Sequence, residues 1–262
     1  MSVRTEFEKL YDPGTGGWFV PAHLRHPFDS SCIEPWRAKY PLNYAPVEME
    51  VGQFYYSLVK ILRPKLILET GTHFGYSSHC IADALKENDE DGILYTIDLT
   101  KEFHIFKGTE HEERIIFIND NSLEVDISIF SEKSRTLSPG GKPIFDMLIL
   151  DADHKYGAII GEIIRYSPHL RVGGVMLLHD SMYFDGIGIA VQQIAKTGFF
   201  DIVNLQTPRR HGIPNGRCPG LTIATKKIPF PEDFLTPDFL YMDVGDCLPG
   251  RTTLDSPIIG IG

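Results

Sequence analysis

Val51, Phe54, Tyr55, Leu58, Val59 and Leu62 recur at helical spacing and Pro64 ends the run, so the pattern predicts an amphipathic helix from about residue 47. A short apolar strand over 66–69 follows. Gly71 and Gly75 break it, and a helix with Ile81 and Leu85 on its apolar side comes next. The alternation then repeats: a strand over 93–97, a loop with a short helix, a strand over 115–118, and a helix holding Leu123, Ile127 and Phe130. After the loop at Ser138, Pro139, Gly140 and Gly141 comes a strand over 145–150, then a helix carrying Ile159, Ile160, Ile163 and Ile164. Gly173 and Gly174 introduce a strand over 175–178, and Ile187, Ala190, Val191 and Ile194 mark a further helix. Two last strands, 200–205 and 221–225, read as an antiparallel pair. Near-continuous apolar strands alternating with amphipathic helices are what a parallel sheet covered on both faces requires. The expected fold is therefore α/β, a doubly wound, mostly parallel sheet of about seven strands.

The flanks differ from this core. Residues 1–46 are rich in Pro, Gly and aromatics without a sustained period, and are expected to form an arm: a strap over the core, a lid or an oligomer contact. Residues 47–227 form the expected catalytic domain, and 228–262 a Pro- and Gly-punctuated tail.

Composition narrows the function. The 262 residues carry 25 Lys plus Arg against 35 Asp plus Glu, a formal net charge of −10 that repels phosphate polymers and anionic membrane surfaces. Neither nucleic acid nor membrane is expected as a partner. Cys32, Cys80, Cys218 and Cys247 contain no CxxC pair, which disfavours a disulfide scaffold or a structural zinc site. With neither a basic start leading into an apolar stretch nor an apolar run of about 20 residues, a cytoplasmic protein is expected.

In an open parallel sheet ligands bind beyond the carboxyl ends of the strands, and those ends are polar here. The first ends in Glu69 and Thr70, the second in Asp98, and the third in Asn119, Asp120, Asn121 and Ser122. The fourth leads into Asp151, Asp153 and His154, and the fifth into His179, Asp180 and Ser181. The first turn spaces Gly71 and Gly75 as GxxxG, not as the GxGxxG of dinucleotide sites. His73 and Tyr76 stand where glycines would admit a pyrophosphate. A cofactor with a nucleoside and an amino-acid tail but no phosphate fits better, and S-adenosylmethionine is the common one. Asp98 is then placed to accept hydrogen bonds from both ribose hydroxyls.

With these residues in view the chain resembles the Rossmann-like S-adenosylmethionine-dependent O-methyltransferases. Glu50, Gln53 and the stretch 67–77 look like the opening of the catechol and caffeoyl-CoA type. Asp151-Ala-Asp-His154 and the run ending in His179-Asp180 look more like the macrocin O-methyltransferase and cephalosporin-hydroxylase-like group, which modifies sugars and natural products. The resemblance implies strand order 3-2-1-4-5-7-6 with the seventh strand reversed. It also implies a cofactor turn of Glu69, Gly71, Thr72, His73 and Gly75, with Ser77 at the methionine carboxylate on a helix N-terminus. Asp98 would hold the ribose, Asn121 and Ser122 the adenine edge, and Asp151 the amino group. Structural readings stand beside these: Glu69 as a cap of its own turn and Ser77 as an N-cap.

Methyl transfer to an alcohol requires that the oxygen be made nucleophilic, by a general base or by a divalent cation. Asp151 and Asp180 end adjacent parallel strands and can converge on one cation, Mg or Mn, and His154 follows Asp151 by about one turn of chain. In the resembling enzymes the matching aspartates bind magnesium and the matching histidine is the proposed base. His154 is accordingly the expected base, its structural alternative being a histidine bonded to a neighbouring carbonyl. His179 departs from the acidic residue usual at its position, and imidazole suits softer metals. Three readings stay open: magnesium on Asp151 and Asp180 with waters; a softer metal that His179 also ligates; or no metal, with His154 and His179 as acid and base. The expected substrate is a small hydroxylated acceptor, a sugar or natural product, and a homo-oligomer is expected. Arg209, Arg210, His211 and Arg217 offer an anionic contact or merely a solvated loop. The competing functions are a nicotinamide-dependent oxidoreductase, a hydroxylase-like protein and a non-catalytic binding module.

Overall fold

Strands that are apolar on both sides must be covered on both faces, and the chain achieves this by alternating strand and helix. The computed structural model describes residues 11–12, 17–18, 47–88, 91–100, 104–132, 141–207 and 219–230. Residues 1–45 and 46–262 form two units. In the first, Tyr11–Asp12 pairs antiparallel with Gly17–Trp18; the arm's expected role lies outside the described residues.

The second unit holds helix α1 (Met49–Leu62), strand β1 (Leu66–Thr70), helix α2 (Tyr76–Glu87), β2 (Ile93–Asp98) and β3 (Ile115–Asn119). After these come β4 (Phe145–Leu150), α3 (Tyr156–Tyr166), β5 (Leu170–His179), α4 (Asp185–Thr197), β6 (Phe200–Leu205) and β7 (Leu221–Lys226). The sheet order is β3-β2-β1-β4-β5-β7-β6, with β7 antiparallel to both of its neighbours, which is the expected topology. Among the described residues no helix is long and apolar enough to cross a membrane.

The strand period of two divides the core into two layers. Leu66, Leu68, Leu148, Leu150, Met176 and Leu178 face α3 and α4, while Ile67, Met147, Ile149, Val175 and Leu177 face α1 and α2. Continued beyond the apolar run, the second series brings Glu69, Asp151 and His179 to the carboxyl edge on the face that α1 covers.

Two elements differ from the sequence expectation. The helix expected at Leu123, Ile127 and Phe130 is a turn followed by a 3-10 helix, Ile127–Glu132. Asn121 Oδ1 accepts from Leu123 N at 3.0 Å and Asp126 Oδ1 from Ser128 N at 2.9 Å, local bonds that compete with a helical ladder. Strand β5 starts at Leu170, not at residue 175: Gly173, at φ 75°, lets the register shift between Phe145 and Met147 instead of ending the strand.

Gly71 holds the turn after β1 at φ 84°, and a Cβ there would lie 2.1 Å from the Asp151 carbonyl oxygen. Gly71→Ala is expected to destabilise the fold by at least about 3 kcal/mol in urea unfolding, because neither backbone can yield without parting β1 from β4. A loss below about 1 kcal/mol would show that the turn relaxes.

Candidate active site

The turn between β1 and α2 is held by its own strand ends. Gly71 N donates to Ile97 O at 2.9 Å, and Gly75 N donates to Thr72 O at 2.7 Å. Thr72 is buried with its hydroxyl 2.7 Å from that of Thr96, and His73 sits in the left-handed region at φ 47°. Asp98 anchors this conformation: its Oδ2 accepts from His73 N at 2.7 Å, while Oδ1 accepts from Thr100 N and Oγ1 at 2.9 and 2.8 Å. Three accepted bonds leave lone-pair capacity on the carboxylate for further donors.

Glu69 lies beneath the turn, fully buried. Its Oε2 accepts from Thr96 Oγ1 at 2.7 Å and from Ser78 Oγ, whereas Oε1 is buried with no hydrogen-bond partner among the described residues. Burial pushes this carboxyl up to about 7 against the opposing effect of the Ser77, Ser78 and Thr96 hydroxyls. Ser77 thus faces Glu69 from the first turn of α2. Asn121 spends its side chain locally, on Leu123 N and on Glu124 at 3.1 Å. Ser122 donates to Glu162 Oε1 at 2.5 Å, and Glu162 Oε2 accepts from Thr70 Oγ1 at 3.0 Å.

Beyond β4 and β5 the acidic and imidazole groups converge. His179, 1% exposed, stands between two carboxylates: Nε2 is 2.9 Å from Glu48 Oε2 and Nδ1 is 3.3 Å from Asp151 Oδ1, with Asp180 Oδ2 3.7 Å from Nδ1. Burial pulls its pKa down, but the charges of Asp151 and Asp180 and the bonds to Asp151 and Glu48 more than compensate and raise it well above the ordinary value. Asp151 is pushed up by burial and pulled further down by the two imidazoles, which hold it below the usual carboxylate range. The ring is thereby engaged at both nitrogens, a clamp on Asp151 with no free lone pair for a metal.

His154 occupies the opposite side. Its ring stacks on Phe184 with centroids 4.1 Å apart, and its side chain is 30% exposed. Nε2 lies 3.4 Å from Asp151 Oδ1 and 3.3 Å from Asp180 Oδ2, aligned as a hydrogen bond with neither. Burial lowers its pKa, and the two carboxylates outweigh that and push it up to about 9. The ligand atoms of Asp151, His154 and Asp180 all lie within 4.8 Å of one another, a donor set of two carboxylate oxygens and one imidazole that suits a divalent cation. Asp180 reaches this space only because its φ is 57°, since a continuing strand would send it to the face opposite His179. Gly186 lets α4 approach, because a Cβ there would lie 2.5 Å from His154 O. Asp153 is exposed and accepts from Lys155 N at 3.0 Å.

The sequence reading missed Glu48 and Tyr55, seven residues apart on one face of α1, and Glu162 inside α3. The shared helical face was the available signal for the first pair; Glu162 reads in sequence as a polar position of its helix. Residues 209, 210, 211 and 217 lie outside the described residues.

A family model described as a methyltransferase domain matches residues 68–181. An uncharacterized protein of Sinorhizobium fredii is 27% identical over 132 residues, 50% of this chain and 14% of that protein. The rhamnosyl O-methyltransferase of Mycobacterium tuberculosis is 24% identical over 127 residues, 48% of this chain and 50% of that enzyme. The chain thus spans half or less of the length of these relatives. Among solved structures, the O-methyltransferase TomG of Streptomyces achromogenes, in complex with S-adenosylmethionine, superposes with a TM-score of 0.58 at 18% identity, over 87% of this chain and 100% of that one.

Glu162 provides a test of the site's scaffold. Burial, against the bonds from Ser122 and Thr70, pushes its carboxyl from an unperturbed 4.5 up to about 7. Its stabilising contribution is therefore full below about pH 4.5 and is lost as the pH rises through about 7. Glu162→Gln keeps the shape and hydrogen-bonding capacity, and urea unfolding at pH 5 and pH 8 should show it gaining on the parent by on the order of 1–3 kcal/mol between those pH values. A gap that stays constant with pH would mean that this carboxyl is not ionising in the fold.

Proposed function

We propose that this chain, whose residues 68–181 form a Rossmann-like methyltransferase domain of the S-adenosylmethionine-dependent O-methyltransferase kind, transfers a methyl group to a hydroxyl of a sugar or related small natural product. A divalent cation assists. The observation that carries the reading is the convergence of Asp151, His154 and Asp180 beside the glycine turn and Asp98. The rhamnosyl enzyme among the relatives supports a sugar acceptor.

The residues fit the cofactor. Asp98 has acceptor capacity at the tip of β2 for ribose hydroxyls, the start of α2 has no side-chain cap on its amides and can serve an anion, and Glu69 keeps an unpaired buried oxygen. When bound, the sulfonium supplies an electrophilic methyl on a neutral thioether leaving group. The residues fit a cation as well: His154 Nε2 is aimed between two carboxylates without bonding either. Once His154 gives up its proton to ligate, Glu48, Asp151 and Asp180 against the His179 imidazolium leave two negative charges, which match one divalent ion. Asp151, Asp180 and His154 would hold it, and there it would lower the pKa of a coordinated hydroxyl. His179 does not ligate; it orients Asp151.

A second reading, in which His154 itself takes the acceptor's proton, is favoured by its partial exposure. The pH profile separates the two. A base with a pKa of about 9 is proton-loaded below that value, so metal-free turnover would climb through pH 9. A coordinated hydroxyl gives activity at neutral pH that chelation removes.

Transfer from labelled donor to a panel of hydroxylated sugars, before and after EDTA treatment, should show a loss of at least about 100-fold that Mn²⁺ or Mg²⁺ restores. Asp180→Ala should abolish Mn²⁺ binding while leaving S-adenosylhomocysteine affinity within about 3-fold. Retention of rate after chelation would retire the cation. Asp98→Ala should weaken S-adenosylhomocysteine by roughly 10- to 100-fold in calorimetry, and unchanged affinity would move the cofactor elsewhere.

A further inference from the structure

Tyr55 lies midway along α1, at 0% exposure, packed in the layer with Val51, Val59, Ile67, Ile149 and Leu177. Its Oη is buried and has no hydrogen-bond partner among the described residues. An unmade bond of this kind costs about 1–3 kcal/mol, and few buried polar groups are left so. The hydroxyl is not stranded in hydrocarbon, for it stands within electrostatic reach of Asp151, Glu69, Glu48 and Asp180. The sheet register explains why. Glu69, Ile149 and Leu177 are aligned across β1, β4 and β5, and Asp151 and His179 lie one step further along the same face, which α1 covers. Glu69, one of those groups, also keeps a buried oxygen, Oε1, with no hydrogen-bond partner among the described residues.

Two unpaired oxygens walled by carboxylates define the ligand group that completes them. A carboxylate or phosphate would be repelled, and a neutral hydroxyl, although it can accept from the phenol and donate to Glu69, leaves the surrounding negative charge uncompensated. A primary ammonium brings three N–H donors and a positive charge.

We propose that Tyr55 is a cofactor-binding residue, its phenolic oxygen accepting one N–H of the ammonium on the cofactor's amino-acid tail while Glu69 Oε1 accepts another. This rests on the cofactor reading above. It makes α1, which lies outside the matched segment 68–181, one wall of the cofactor pocket.

Calorimetry with S-adenosylhomocysteine and its desamino analogue, on the parent chain and on Tyr55→Phe, tests the assignment. The parent should bind the desamino compound at least about 10-fold more weakly than S-adenosylhomocysteine. Tyr55→Phe should lose roughly 10-fold in S-adenosylhomocysteine affinity and none for the desamino compound, and its ligand-free melting temperature should not fall, because an unpaired hydroxyl has been removed. In a crystal of the parent with S-adenosylhomocysteine, Tyr55 Oη should lie within about 3.2 Å of the amino nitrogen. Equal weakening of both ligands, a drop in ligand-free stability or an amino nitrogen remote from Oη would each overturn the proposal. A parent chain that binds neither adenosyl compound would instead remove the cofactor reading on which it stands.

Discussion

The burial of charge where parallel strands end together is the constraint around which this molecule is organised. Side chains alternate along a strand, so the face that is apolar at Ile67, Ile149 and Leu177 becomes ionisable two residues on, at Glu69, Asp151 and His179, still beneath α1. Three such groups cannot be buried unpaired. Glu48 enters from the start of α1 to pair His179, His179 pairs Asp151, and hydroxyls from Thr96 and Ser78 satisfy half of Glu69. At this edge Glu69 Oε1, Tyr55 Oη and His154 Nε2 are buried with no hydrogen-bond partner among the described residues.

The backbone is bent to serve the same edge. His73 and Asp180 adopt left-handed conformations that cost a non-glycine residue of the order of 1–2 kcal/mol each. Both are held by their surroundings, His73 by the Asp98 carboxylate on its amide and Asp180 by the amides of Tyr183 and Phe184 on its carbonyl. Each bend redirects a chain end that would otherwise continue its strand. Without the bend at Asp180 its carboxylate would leave the cluster, and His154 would face a single acid.

Much of this was legible in the sequence. Apolar runs of strand length between amphipathic helices identified the doubly wound sheet, and polar residues after each run marked its candidate functional edge, from Glu69 through Asp98 to Asp180. The turn after β3 departs from the expected helix because Asn121 and Asp126 bond their own backbone, a local competition that the apolar positions Leu123, Ile127 and Phe130 do not reveal. The strand-end position of His179 is visible in sequence and suggests a metal ligand or an acid–base partner of His154, whereas the Glu48 carboxylate on its other nitrogen arrives from 131 residues away.

Hydrophobic periodicity and the chemistry of strand ends are local properties, so the sequence alone determined the class of fold, the edge at which the candidate site lies and the residue types available there. Which of those residues clamp and which remain open was decided only by tertiary structure. A buried ionisable group takes its role from the partners that packing brings to it, and for His179, Glu162 and Tyr55 those partners lie on other elements of the fold.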